Sequence, residues 1–188
     1  MDVFEVIVSR RSIRAFKPDP VSEELVDKIL EAARWAPSAG NLQAREFILV
    51  KNPEVKRRLS RAALGQDFIE EAPIDIVVCA DEEQSARRYM DRGRKLYCIQ
   101  DAAASIENIL LIVHALGLGA CWIGAFEEEA VAETLNLPRG VRPVAIIPIG
   151  YPAEHPPAMA RRKLREIVHI NKYGEKVERV ERGEKGER

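Results

Sequence analysis

The stretch from Lys95 to Leu116 constrains the fold of this chain more than any other. Leu96, Ile99, Ala103, Ile106, Leu110 and Val113 recur at the three- and four-residue spacing of one helical face. The remaining faces carry Ala102, Ala104, Ile109, Leu111 and Ile112. A helix apolar nearly all round does not lie on a surface. It runs through the centre, packed by its own subunit and open to packing by a partner. Gly117 and Gly119 end it. Glu107, Asn108 and His114 interrupt its apolar tract, so no run reaches the ~18 to 20 apolar residues of a membrane span.

Helices and strands alternate around this element. Residues 2–8 read as a short helix with Val3, Phe4 and Ile7 on one face. Ser22 caps a second helix that carries Leu25, Ile29, Ala32 and Ala36 and stops at Pro37. Asn52 and Pro53 open a third, and residues 127–135 form a fourth. Residues 47–50, 74–80, 120–123 and 144–150 read as strands, and 166–171 as a candidate strand. The polar stretch 81–94 reads as a mobile excursion. The alternation allows α+β or α/β. A buried central helix followed by an extended, proline-bearing segment from Tyr151 points to an intertwined dimer.

Composition sets the outer limits. The 188 residues are 46% hydrophobic and carry a net charge of −1. The chain therefore folds, and it lacks the basic excess of a general nucleic-acid or membrane-surface binder. Residues 1–5 lack the basic region and apolar run of a signal peptide. Cys79, Cys98 and Cys121 are widely spaced in apolar surroundings and read as buried small residues suited to a reducing cytoplasm. His114 reads as a satisfied core histidine.

Four segments carry candidate chemistry. Arg10, Arg11, Ser12 and Arg14 place three guanidinium groups and a hydroxyl within five residues, which makes an anion site or a solvated basic turn. The loop Pro37-Ser38-Ala39-Gly40-Asn41-Leu42-Gln43 offers amides that can read the edge of a planar heterocycle, or simply joins a helix to a strand. Trp122, Ile123, Gly124 and Ala125 end a strand, where Gly124 permits close approach and the aromatics are equally suited to a core. Arg161, Arg162 and Lys163 can join the same anion or form a surface charge run. Gly117-Leu118-Gly119 follows a helix and lacks a third glycine, so it is no dinucleotide fingerprint.

Taken together, the four segments and residues 100–124 resemble the FMN-dependent nitroreductases over about residues 1–173. The resemblance rests on the RRSxR segment, the PSxxNxQ loop, the central-helix pattern ending in Cys121-Trp122-Ile123-Gly124, and a basic cluster before Glu166-Ile167-Val168-His169. It implies an α+β, three-layer α-β-α fold with a mostly antiparallel central sheet. The expected assembly is a domain-swapped homodimer, with residues 151–173 as an arm around the partner and 174–188 as a charged tail. It implies one FMN per subunit at the interface, with NAD(P)H as reductant and a nitroaromatic, quinone or similar small acceptor, turned over by ping-pong hydride transfer. Arg10 and Ser12 would face the phosphate and Arg14 the flavin ring, with Arg11 in the same segment. Pro37, Ser38, Ala39, Asn41 and Gln43 would arrive from the other subunit. Trp122, Ile123, Gly124 and Ala125 would line the ring, with the Gly124 N–H toward N5. Gln66 falls near a polar flavin contact, and Arg161 or Arg162 would complete the phosphate clamp.

Two departures from the family pattern stand out, and one of them is Lys163 before Leu164, where a proline is common. Ala44 and Arg45 follow Gln43 where Pro-Trp is common, which can open the pocket rim or charge it. Tyr89 and Tyr97 are candidate substrate-pocket walls, and Arg87, Arg88, Arg92 and Arg94 either favour an anionic acceptor or form a solvated lid. Alternative functions are a specialised flavin enzyme of the same fold, of dehalogenating or flavin-cleaving type, and a non-catalytic FMN-binding sensor or carrier. Preference between NADH and NADPH is open.

Overall fold

The computed structural model describes residues 2–176, which divide into two units after Pro156. In the first unit, Asp2 caps α1 (Val3–Ser9) through a reciprocal pair with Glu5. Ser22 caps α2 (Glu23–Arg34) and Asn52 caps α3 (Pro53–Ala62), each with an acidic first turn that suits the helix dipole. A single helical turn, α4 (Phe68–Glu71), precedes β2.

Four strands form one antiparallel sheet: β1 (Arg45–Val50), β2 (Ile74–Asp81), β3 (Gly119–Ala120) and β4 (Val141–Gly150), in the order β1-β2-β4-β3. The two-residue period of β2 divides the core. Ile74, Ile76, Val78 and Ala80 pack on one face against α2 and α6 (Cys98–Ala115), while Val77 and Cys79 face α3, α4 and α7 (Glu128–Leu135) on the other. The sheet thus lies between two helical layers, and α6 is the central helix of one layer. Its inner stripe of Ala102, Ile106, Ile109 and Val113 is buried. All three cysteines are free and buried.

Three expectations need correction. Residues 81–94 are not a loose excursion. Asp81 caps α5 (Glu82–Arg92), and the chain turns sharply at Met90, with φ 49° and ψ −135°, before a π-helical turn (Gly93–Tyr97) leads into α6. Arg94 reaches back across this turn to Glu83 with hydrogen bonds of 3.0 to 3.2 Å, tying the two arms into a helical hairpin. The strand expected at 120–123 is only two residues long and continues as one bridge, Ile123 to Ile146. In the second unit, residues 164–167 form a helical turn, α8 (Leu164–Ile167), rather than a strand, and His169 pairs with Lys176. The tail beyond residue 176 lies outside the described residues.

Candidate functional site

The Arg10–Arg14 segment docks on the open edge of the sheet. Ser12 bridges Ala120, and the Ile13 N–H donates to the Ala120 carbonyl at 3.0 Å. The dock is tight, because a Cβ on Gly119 would sit 2.7 Å from Ile13 Cγ1. Burial pushes the Cys121 thiol up, while the charge of Arg14, a hydrogen bond with Ser12 and the charge of Arg10 pull it down. Arg11 and Ile13 line a cavity of about 420 Å³ that His114, Leu118 and His155 also line. Arg11 bonds the carbonyls of Val8 and Arg10, both at 2.9 Å. His114 is half-buried and its Nε2 lies 2.8 Å from the Ser9 hydroxyl; burial, then the charges of Arg10 and Arg11, hold it below the usual imidazole range.

Past Ala120 the chain continues as the strand end after Cys121. Trp122, Gly124 and Ala125 are exposed, and nothing stands within 4 Å of the Cβ position of Gly124. Ile123 instead turns its side chain into the lower core and presents only its backbone edge. Gln66 fixes this end from below, donating to the carbonyls of Ala63 at 2.9 Å and Ala125 at 3.2 Å.

The Pro37–Gln43 loop forms a second, separate centre. Arg45 is buried rather than on the rim, correcting the expectation of a charged edge. It donates to the carbonyls of Arg34, Ala36 and Pro37 at 2.7 to 3.2 Å, so it closes the end of α2 and pins the loop. Asp101, in the first turn of α6, accepts from the Ala39 N–H at 2.9 Å; burial raises its carboxyl above the usual range, against the pull of that N–H and of Arg45. Gly40, Asn41 and Gln43 all have positive φ between 53° and 57°, a conformation held by these anchors and by Ser38 Oγ accepting from Gln43 N. Tyr89 lies over this loop and packs edge-on to Tyr97, with ring centroids 5.0 Å apart.

The two centres sit at opposite ends of one helix. Asp101 holds the loop at the start of α6 and His114 contacts Ser9 at its end, thirteen residues on, or about 20 Å at ~1.5 Å per residue. One chain therefore does not close both around the same small ring. Arg161 and Arg162 belong to the second unit, where Arg162 pairs with Glu166 at 3.6 Å. Of the supports, the sequence offered Arg45 only as a rim charge and Arg88 only as one of a group of arginines, and it singled out neither Asp101 nor Gln84. The signal for Asp101 is a carboxylate inside an apolar helix.

Known proteins resemble this chain in sequence and in backbone. The family model described as "Nitroreductase family" matches residues 7–66 and 60–151. A protein of Methanothermobacter thermautotrophicus, provisionally named an NADH dehydrogenase/NAD(P)H nitroreductase, is 38% identical over 160 residues, covering 83% of this chain and 80% of its own. The structure of an FMN-dependent nitroreductase from Clostridium difficile R20291 superposes with a TM-score of 0.78 at 34% identity, over 90% of this chain and 99% of that one. That of an NADPH:FMN oxidoreductase from Vibrio harveyi, complexed with NAD+, gives a TM-score of 0.85 at 28% identity, over 92% and 78%. Matched across most of its length in sequence and in backbone, this chain belongs to the nitroreductase family.

Proposed function

We propose that this protein is an NAD(P)H-dependent FMN oxidoreductase, a homodimer with one FMN per subunit at the interface, that reduces nitroaromatic, quinone or similar small acceptors. The observation that carries this reading is the docking of the Arg10–Arg14 segment on Ala120, at the strand whose continuation opens at Gly124. Among the described residues neither arginine makes an ion pair, although Glu154 accepts from the Arg14 backbone N–H at 2.5 Å. Two unpaired guanidinium groups and a hydroxyl in one docked segment suit a phosphate and an electron-rich ring edge.

FMN, when bound, supplies two-electron hydride chemistry. Arg10 and Ser12 would hold its phosphate, with Arg161 or Arg162 completing the clamp. Arg14 would hold the pyrimidine edge of the ring, where its positive charge favours electron uptake. The Gly124 N–H would orient the ring through N5, beside Trp122 and Ala125. Pro37, Ser38, Ala39, Asn41 and Gln43 would come from the partner subunit. No acid–base dyad is needed, since water can supply protons. One open face serves the reductant and then the acceptor, which makes the kinetics ping-pong.

The surface supports the dimer. Phe4 and Trp35 are each 73% exposed, and a groove of about 290 Å³ between α1, α2 and α6 is lined by Val3, Val6, Ala32, Asn108, Leu111, Ile112 and Ala115. A face this apolar suits burial against a second copy.

Purified protein is expected to show an oxidised-flavin spectrum, release FMN on heating, and oxidise NADH or NADPH with menadione and a nitrofuran. Arg10→Ala should lose about tenfold or more in FMN affinity, the weight of a charge-assisted phosphate contact. Retention equal to the parent would place the phosphate elsewhere. Bound FMN that neither nucleotide reduces would favour a non-catalytic carrier.

A further inference from the structure

The tip of the α5 hairpin holds a positive charge that the chain does not neutralise. Glu83 and Asp91 are engaged by Arg94, and Asp91 also by Lys95. Arg92 stacks on Tyr97, 5.3 Å from its centroid, and donates to its hydroxyl at 2.8 Å. Arg88 has no carboxylate partner among the described residues; its guanidinium lies 5.5 Å from the centroid of Tyr89. It is also aimed at the loop. A Cβ on Gly40 would stand 2.6 Å from the Tyr89 hydroxyl and 2.9 Å from Arg88 Nη1, so Gly40, at φ +57°, leaves the space these two side chains use.

The position is held firmly. Met90, the next residue, carries the strained dihedrals of the turn, a conformation that persists only when its surroundings fix it. Three contacts fix it: Gln84 donates to the Leu42 carbonyl at 3.2 Å, Tyr89 packs against Tyr97, and Arg94 bridges to Glu83. The hairpin and the Pro37–Gln43 loop are thus one body, with an unpaired guanidinium on its rim.

We infer that Arg88, backed by Tyr89, forms an anion subsite that selects substrates bearing a carboxylate or phosphate group. This rests on the reading that the Pro37–Gln43 loop borders the flavin pocket. The same chemistry has two sources: an acidic electron acceptor, or the 2′-phosphate that distinguishes NADPH from NADH. A planar guanidinium held against a ring is preorganised for either, because less rotamer freedom is lost for each hydrogen bond it forms.

The test compares the parent holoenzyme with Arg88→Ala and Arg88→Lys in two arms. One measures kcat/KM for 4-nitrobenzoate and for its uncharged methyl ester; the other does so for NADPH and NADH. Arg88→Ala should lower the charged-to-uncharged ratio about tenfold in at least one arm, the weight of one charge-assisted hydrogen bond, and Arg88→Lys should recover most of it. The arm that responds names the source. An unchanged ratio in both arms, or an equal loss on both members of each pair, overturns the subsite. Calorimetric binding of 4-nitrobenzoate and NADP+ to the same proteins reads the subsite without turnover. A colourless parent whose affinity for either anion still falls in Arg88→Ala would keep the subsite and refute the flavin reading. A flavin-loaded parent with anion affinities unchanged in Arg88→Ala would do the reverse.

Discussion

Lys56→Met is expected to lower the unfolding free energy by about 3 kcal/mol at neutral pH, the scale for leaving two buried carbonyls without their donor. Lys56 lies on α3 and is buried, with Nζ donating to the carbonyls of Glu70 and Ala72 at 2.9 and 2.5 Å. Methionine matches its stem but leaves both carbonyls unmet. It also removes the one cation whose field reaches Asp75, a carboxylate on β2 with no exposure and no hydrogen-bond partner on either oxygen. Burial holds the Asp75 carboxyl well above its usual range, and Lys56 pulls it down only in part.

The pH dependence follows in sign. Above the ordinary carboxylate range the unfolded chain has released this proton and the folded chain has not. Stability therefore falls as pH rises, by up to about 1.4 kcal/mol per pH unit, until the folded group also ionises. Asp75→Asn should remove that slope, raise stability at neutral pH and offset part of the Lys56→Met loss. The Lys56→Met deficit itself should grow as pH rises to where the folded Asp75 ionises, because only there does the Lys56 charge offset a buried carboxylate. Thermal unfolding of the four proteins across pH checks this; at about 2 to 4 °C per kcal/mol, Lys56→Met should melt about 6 to 12 °C below the parent. A deficit that does not change with pH would show that Asp75 takes no part.

Leu111→Glu is expected to yield a monomer that has lost nearly all of its FMN, although Leu111 touches neither centre of the candidate site. Leu111 lines the apolar groove between α1, α2 and α6. A carboxylate at the middle of a dry interface costs several kcal/mol, and a symmetric dimer suffers it twice. Because the arginine segment and the Pro37–Gln43 loop sit at opposite ends of α6, a monomer offers each flavin half a cradle. Light scattering should give half the parent mass, with flavin absorbance falling in step. A Leu111→Glu monomer that keeps one FMN per chain would refute the shared site, and a full-mass dimer would place the interface elsewhere.

Much of the fold is legible in the sequence where local chemistry decides it. Ser22 and Asn52 cap the helices that their side chains announce, and the apolar period of residues 95–116 marks α6 as central. The polar stretch 81–94 was misleading because its order comes from contacts distant in sequence. Arg94 with Glu83, Gln84 with the Leu42 carbonyl and Tyr89 over Gly40 hold a hairpin whose composition alone suggests a loop. The candidate site was legible as a list of residues and not as an arrangement. Composition cannot show that Arg45 is spent inside the fold on three carbonyls, or that Arg11 lines a cavity with His114.

The sequence by itself determined the α+β alternation, the central helix and the donors suited to an anion, because caps, periodicity and side-chain chemistry are local properties. Only the tertiary structure decided that the Arg10–Arg14 segment docks on Ala120, that the loop it was expected to meet lies at the far end of α6, and that Arg88 has no carboxylate partner among the described residues. Those depend on strand docking and helix length, which set directions and distances that no residue encodes alone.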